Sequence, residues 1–190
     1  MGKSTAGTKA DEFSKKLNRS KKIHEAISSA IKILVDSQKE KVEKITSETF
    51  LSMVNEPEHY QGIKIDDEYE FSLVTNDGVA MPTDQAAVNA GHAQMIATAF
   101  IAALNKMSEL EATIVIDTPL GRLDEIHSSN MIKYYPNFKP QVIILYQPKE
   151  LGSNISQDAL HSISGFIHSE WEIEQDARNE HISYVKRVTR

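Results

Sequence analysis

The chain has 190 residues, 40% of them hydrophobic and 25% charged, enough to bury a full core and most simply one globular domain with an appendage. With no cysteine, disulfides and thiolate metal sites are excluded, and no apolar run approaches the ~20 residues that a membrane-spanning helix needs. The formal charge of −6 speaks against the whole surface being a DNA-binding face, because phosphate neutralisation takes clustered Lys and Arg; any DNA contact is local or made by other parts.

Residues 1–10, rich in Gly, Ser, Thr and Lys, are expected to lack fixed structure. They include the string Gly2-Lys3-Ser4-Thr5, which resembles the end of a phosphate-binding P-loop. That loop needs a further glycine five residues earlier and a strand before it, and only Met1 precedes the string here. The apolar core of a signal peptide is missing, and a cytoplasmic location is expected. From 11 to 54 there is neither Pro nor Gly, and Phe13, Leu17, Ile23, Ile27, Ile31, Leu34, Val35, Val42 and Ile45 fall largely at helical spacing. This predicts one long helix or two, with Lys39, Glu40, Lys41, Glu43 and Lys44 on a solvated face. Periodicity alone does not separate a helix packed on its own domain from one strand of a coiled coil.

Pro57 and Gly62 break the helix. Ile63-Lys64-Ile65 and Tyr69-Glu70-Phe71-Ser72-Leu73-Val74 alternate like half-buried strands, and Asn76-Asp77-Gly78 is a hairpin turn because these residues tolerate positive φ. After Pro82 comes Val88-Asn89-Ala90-Gly91-His92-Ala93-Gln94, followed by an Ala-rich helix over 95–104.

The run Thr113-Ile114-Val115-Ile116 reads as a buried strand that ends in Asp117, and Thr118-Pro119-Leu120-Gly121-Arg122-Leu123 leads from it to a second carboxylate, Asp124. A buried strand delivering an Asp at its carboxyl end is how a parallel α/β sheet presents an acid to a magnesium–phosphate group. The plainer explanation is a core strand that stops at an Asp, since Asp and Pro both favour turns.

Asp124 is placed to cap a helix over 125–134, and Pro136 and Pro140 close the connection. Gln141-Val142-Ile143-Ile144-Leu145-Tyr146 is a second candidate for a buried strand, with Gln147 after it. The tail predicts a helix over 157–167, then a terminal hairpin from Trp171-Glu172-Ile173-Glu174 and His181-Ile182-Ser183-Tyr184-Val185-Lys186. His161, His168 and His181 lack a compact zinc-ligand spacing. Trp171 is expected to anchor the hairpin in a core rather than to stack on a base.

In order and spacing, the motifs over roughly 50–151 resemble the C-terminal lobe of an ABC ATPase head of the SMC-like branch. The wording Asp-Thr-Pro-Leu-Gly-Arg-Leu-Asp at 117–124 is most similar to the DNA sulfur modification protein DndD family. In this resemblance 88–94 looks like the ABC signature loop, usually Leu-Ser-(Gly or Ala)-Gly-Glu-(Lys or Arg)-Gln; Gly91 and Gln94 fit, and Asn89 replaces the serine. Asp117 takes the Walker B position, Asp124 the D-loop position, and Gln147 the switch position where histidine is usual. The implied fold is α/β, the C-terminal lobe of an ABC/SMC-type P-loop NTPase head. It divides into a disordered N-terminus at 1–10, a long helix or coiled-coil remnant at 11–54, and the lobe itself at 55–190 with a terminal β-hairpin.

The resemblance further implies ATP and Mg2+ as cofactors. Asp117 would hold the magnesium through water, as hard cations prefer carboxylate oxygen. Asn89, Ala90, Gly91 and Gln94 would meet the γ-phosphate of a nucleotide on a second head, with glycine allowing close backbone approach, and Asp124 would cross that interface. Many ABC ATPases place a catalytic Glu where Thr118 stands, and a threonine hydroxyl is no general base near neutral pH. Gln147 would orient water by hydrogen bonding, with Glu125 a weaker candidate. The partners implied are an N-terminal lobe carrying Walker A or a second ATPase head, in a dimer, with DNA reached through the assembly and no membrane. ATP hydrolysis would then require the completing lobe, and the setting would be DNA modification, repair or phage defence. The missing Walker A, Thr118 and Asn89 equally suit a non-catalytic, head-like adaptor or regulatory subunit. His92, His127 and Arg122 stay open between phosphate or head contacts and ordinary packing.

Overall fold

The computed structural model describes residues 4–84, 88–109, 112–152, 155–176 and 182–188, and the chain divides into one unit of Met1–Lys44 and another of Ile45–Arg190. The stretch without Pro or Gly lies in a single helix, α1 (Ser4–Met53), which starts earlier and takes in Gly7. Residues 4–10 of α1 belong to the segment expected to lack fixed structure, and residues 1–3 lie outside the described residues. In the first unit the apolar positions Phe13, Leu17, Ile23, Ile27, Ile31 and Leu34 are all exposed. Long helices draw most of their stability from burying such a stripe.

The second unit begins with the last turns of α1, where Thr46, Phe50 and Met53 are buried. Ser47 stitches these turns to the first strand, its Oγ donating to the Ile63 carbonyl at 3.0 Å and accepting from the Ile63 N–H at 2.8 Å. The approach is close enough to dictate a residue type. Gly62 sits at φ +134, and a Cβ there would come within 2.7 Å of the Ser47 side chain, so only glycine fits.

Strands β1 (Tyr60–Ile65), β2 (Phe71–Thr75) and β3 (Ala80–Pro82) form an antiparallel sheet in that order. Asn76, Asp77 and Gly78 turn β2 into β3, with Gly78 at φ +85. Helix α2 (Ala90–Met107) extends beyond the expected 95–104 at both ends, because Asn89 caps it early.

Strand β4 (Ile114–Asp117) pairs in parallel with β5 (Val142–Leu145), from Ile114↔Val142 to Asp117↔Leu145. Between them runs α3 (Glu125–Tyr134), capped by Asp124 as expected. After β5 come α4 (Pro148–Gly152) and α5 (Gln157–Ile163). The helix expected over 157–167 gives way at Ser164–Phe166 to a 3-10 turn containing Gly165, a poor helix former. Strands β6 (Glu170–Gln175) and β7 (Ser183–Val188) close the chain as an antiparallel hairpin; His181 lies outside the described residues.

One apolar cluster holds the unit together. Phe50 and Met53 from α1, Leu73 from β2, Met95 and Ala99 from α2, and Met131 from α3 meet in it, burial that supplies the dominant favourable term in folding. Hydrogen bonds reinforce the same contacts: Asn130 Nδ2 donates to the Met53 carbonyl at 3.1 Å, and the Ser129 and Ser156 side chains meet at 3.2 Å across α3 and α5.

Two expectations need correction. The strands around Asp117 and Gln147 are not buried on both faces. Ile114, Ile116, Val142 and Ile144 pack against the core, whereas Val115, Ile143 and Leu145 point the other way and are 60%, 42% and 46% exposed. Among the described residues the sheet has two strands; side chains alternate between its faces, and the core covers one of them. Trp171 is likewise exposed rather than a core anchor, with the Arg187 guanidinium 5.9 Å from its ring centre. Among the described residues the β6–β7 ribbon is exposed along almost its whole length, with no second layer to receive the indole. Among the described residues no helix is long and apolar enough to cross a membrane.

Candidate functional site

Asp117 is the last residue of β4, where the strand's alternation leaves it exposed. Among the described residues its carboxylate has no hydrogen-bond or ion-pair partner. Thr118 follows at φ 45, a conformation that a β-branched side chain rarely adopts, and donates its N–H to the Leu145 carbonyl at 2.8 Å. That bond and the Asp117↔Leu145 pairing put the chain leaving β4 beside the chain leaving β5, where Gln147 is exposed two residues later. Pro119 and Leu120 then turn into the core. Strain concentrated at a strand end that carries a free carboxylate is a common mark of function.

The segment 88–94 is brought onto this turn. Gln94 donates its side-chain amide to the Pro119 carbonyl. A Cβ on Gly91 would meet Leu123 Cδ2 at 3.2 Å and the Arg122 carbonyl at 3.3 Å, so the first turn of α2 lies against 122–123 with no room to spare. Asn89 caps α2, its Oδ1 accepting from the His92 N–H at 2.8 Å, which explains locally why an asparagine stands there. Ala90 opens the helix and is exposed.

Asp124 caps α3 in the same way, accepting from the His127 N–H at 2.9 Å and from ring Nδ1 at 2.7 Å. The two histidines connect the caps. Their rings are 5.9 Å apart, and His92 Nε2 meets the Tyr60 hydroxyl at 3.2 Å. Burial first, and then the neighbouring His127, hold the His92 ring below its ordinary pKa, against a weaker opposing pull from Asp124. Burial tends to raise the Asp124 carboxyl, but the bonds and charge of His127 outweigh it and leave the pKa lowered. The open choice at His92 and His127 thus falls toward packing, because both rings are engaged within the chain. Arg122 and Glu125 are exposed.

Glu150 was not singled out by the sequence. It is 2% exposed, its Oε2 accepts from the Gln147 N–H at 2.7 Å, and its Oε1 accepts from the Leu120 N–H at 3.3 Å. Gln-Pro-Lys-Glu, with Pro at the first helical position and an acid two residues later, carries the acid's half of a capping box without the Ser or Thr, and it was the one available signal. Beside it, burial and then the Glu150 charge push the Tyr135 phenol far above its ordinary range.

Among the described residues no three His, Asp or Glu side chains gather to hold a metal. Magnesium does not require such a cage, because it keeps waters and substrate oxygens and uses one or two carboxylates. An exposed, unpartnered Asp117 fits that demand. Glycine at 91 and the N-terminus of α2 fit a phosphate approached by backbone.

No family model and no curated protein matches the sequence. Solved structures do match. The Smc head domain with a coiled coil and joint from Pyrococcus yayanosii is similar over 96% of this chain and 33% of its own, at 13% identity and a TM-score of 0.71. A structure from work on ATP-driven dimerization and DNA-stimulated activation of SMC ATPases covers 83% of this chain and 89% of its own, at 12% identity and a TM-score of 0.58. The Smc head domain from Pyrococcus furiosus, with an extended coiled coil and bound to the C-terminal domain of ScpA, covers 95% and 45% at 13% identity and a TM-score of 0.54. The chain thus spans a third of the length of one Pyrococcus head and somewhat under half of the other. At such identities the likeness establishes the fold, an SMC head-type α/β lobe with a long N-terminal helix and a terminal hairpin.

Proposed function

We propose that this chain is the C-terminal half of an SMC-like ATPase head and supplies part of a Mg-ATP site completed by a lobe carrying Walker A. One observation carries the reading: among the described residues, Asp117 has no side-chain partner and ends a strand of a two-stranded parallel sheet whose second face is apolar and exposed. Parallel sheets are normally covered on both faces, so the carboxylate stands at the rim of a surface suited to a further lobe.

In the completed site, bound magnesium would neutralise phosphate oxygens and ease in-line attack of water. The chain's own residues do the rest. Asp117 would hold the metal, and Gln147 would orient the attacking water. The first turn of α2, entered through Asn89, Ala90 and Gly91 and fixed by Gln94, offers N–H groups to the nucleotide of a second head. Asp124 faces the same junction. Thr118 contributes by its backbone strain, since its hydroxyl cannot take a proton near neutral pH.

The partners are a Walker A lobe and a second head, in a dimer. DNA modification, repair or phage defence in the cytoplasm is the setting that the DndD-like wording of 117–124 supports. The adaptor reading draws on one specific feature: the Asn89 carbonyl oxygen is committed to the cap. Titration of the completed head with ATP and magnesium separates the two. Asp117→Ala is expected to raise the magnesium concentration needed for tight nucleotide binding at least tenfold; nucleotide-independent association with no binding supports the adaptor.

A further inference from the structure

We propose that Glu150 is a positioning residue that ties the turn after Asp117 to Gln147, so that the metal-holding and water-orienting sides of the site keep one geometry. The inference rests on the ATPase reading of that site.

A capping box needs only one carboxylate oxygen. Glu150 Oε2 makes the acid's half of such a box, accepting from the Gln147 N–H at 2.7 Å, while the Glu150 N–H closes the turn on the Gln147 carbonyl at 2.8 Å. The second oxygen reaches thirty residues back along the sequence to the Leu120 N–H at 3.3 Å. Two N–H donors from two segments require two acceptor atoms on one side chain, which a carboxylate offers and a carboxamide does not. The group is almost fully buried, and no cation pairs with it among the described residues, an expensive arrangement for a cap alone. Gly121 keeps the bridge open: a Cβ there would stand 3.2 Å from Oε1. Asp117 lies three residues before one anchor, and Gln147 is the other.

The test uses Glu150→Gln and Gly121→Ala. In the free chain, hydrogen exchange of individual amides in Glu150→Gln should quicken at least tenfold at Leu120, while Thr118, bonded to Leu145, is unchanged. In the completed head, either variant should lower kcat by roughly 100-fold, the size of a misplacement of about 1 Å, with KM for ATP within threefold. The double variant should be no worse than the single ones, as expected for two changes acting on one link. Unchanged exchange at Leu120, or kcat and KM worsening together with the melting temperature, would overturn the proposal. Should Asp117→Ala leave turnover intact, the ATPase reading itself fails and takes the catalytic role of Glu150 with it. The exchange result still decides whether the bridge exists.

Discussion

Thr118 and His92 are the two residues whose individual chemistry is most exposed to test. A β-branched residue at φ 45 carries strain on the order of 1–3 kcal/mol, and glycine would relieve it at a cost in unfolded-state entropy of about 0.4–1 kcal/mol. Thr118→Gly should therefore raise stability by about 1 kcal/mol, read as a higher urea midpoint at unchanged slope. His92 sets a pH dependence. Its folded pKa lies below the unfolded value of about 6.5, so the unfolded chain binds the proton first. The stability is complete above about pH 6.5 and declines as pH falls toward the folded value. Asp124, lowered in the fold, acts in the same direction at more acid pH: its contribution is present above the unfolded carboxylate range and lost as pH falls through the folded value. The melting temperature should drop between pH 7 and pH 5, and His92→Phe, which keeps ring packing against Phe50 and Tyr60, should flatten that drop.

At the scale of elements, the caps do more than start helices, because Asn89 and Asp124 set the entry of α2 and α3 beside one another. Asn89→Ala should cost about 1 kcal/mol, whereas Asn89→Ser, an equally good cap, should stay within a few tenths; chemical denaturation of the three proteins checks both. These local features were legible in the sequence for a physical reason. Asn76-Asp77-Gly78, the Asp124 cap and the Val and Ile runs of β4 and β5 are each dictated by neighbours along the chain. Glu150 was not, since the partner that makes it unusual, Leu120, is thirty residues away. Neither was the contact of Tyr60 with His92. The bare face of β4 and β5 was misread because a run of Val and Ile looks the same whether its cover comes from its own chain or another. Trp171 was misread because an aromatic in a strand pattern says nothing of whether a second layer exists.

At the scale of the whole molecule, the described residues of the second unit place a core on one side of its parallel sheet and leave the other side exposed. Val115 faces the uncovered side, so Val115→Asp should leave the isolated chain's stability within about 0.5 kcal/mol while preventing association with the completing lobe in sedimentation. In the proposed function Asp117 belongs to a shared nucleotide site. The direct measurement is magnesium-dependent ATP hydrolysis by this chain alone, by the chain mixed with a lobe carrying Walker A, and by the same mixture carrying Asp117→Ala. Turnover in the mixture alone, lost in the variant, is the result predicted; a stable complex that hydrolyses no ATP, or one indifferent to Asp117→Ala, would contradict it.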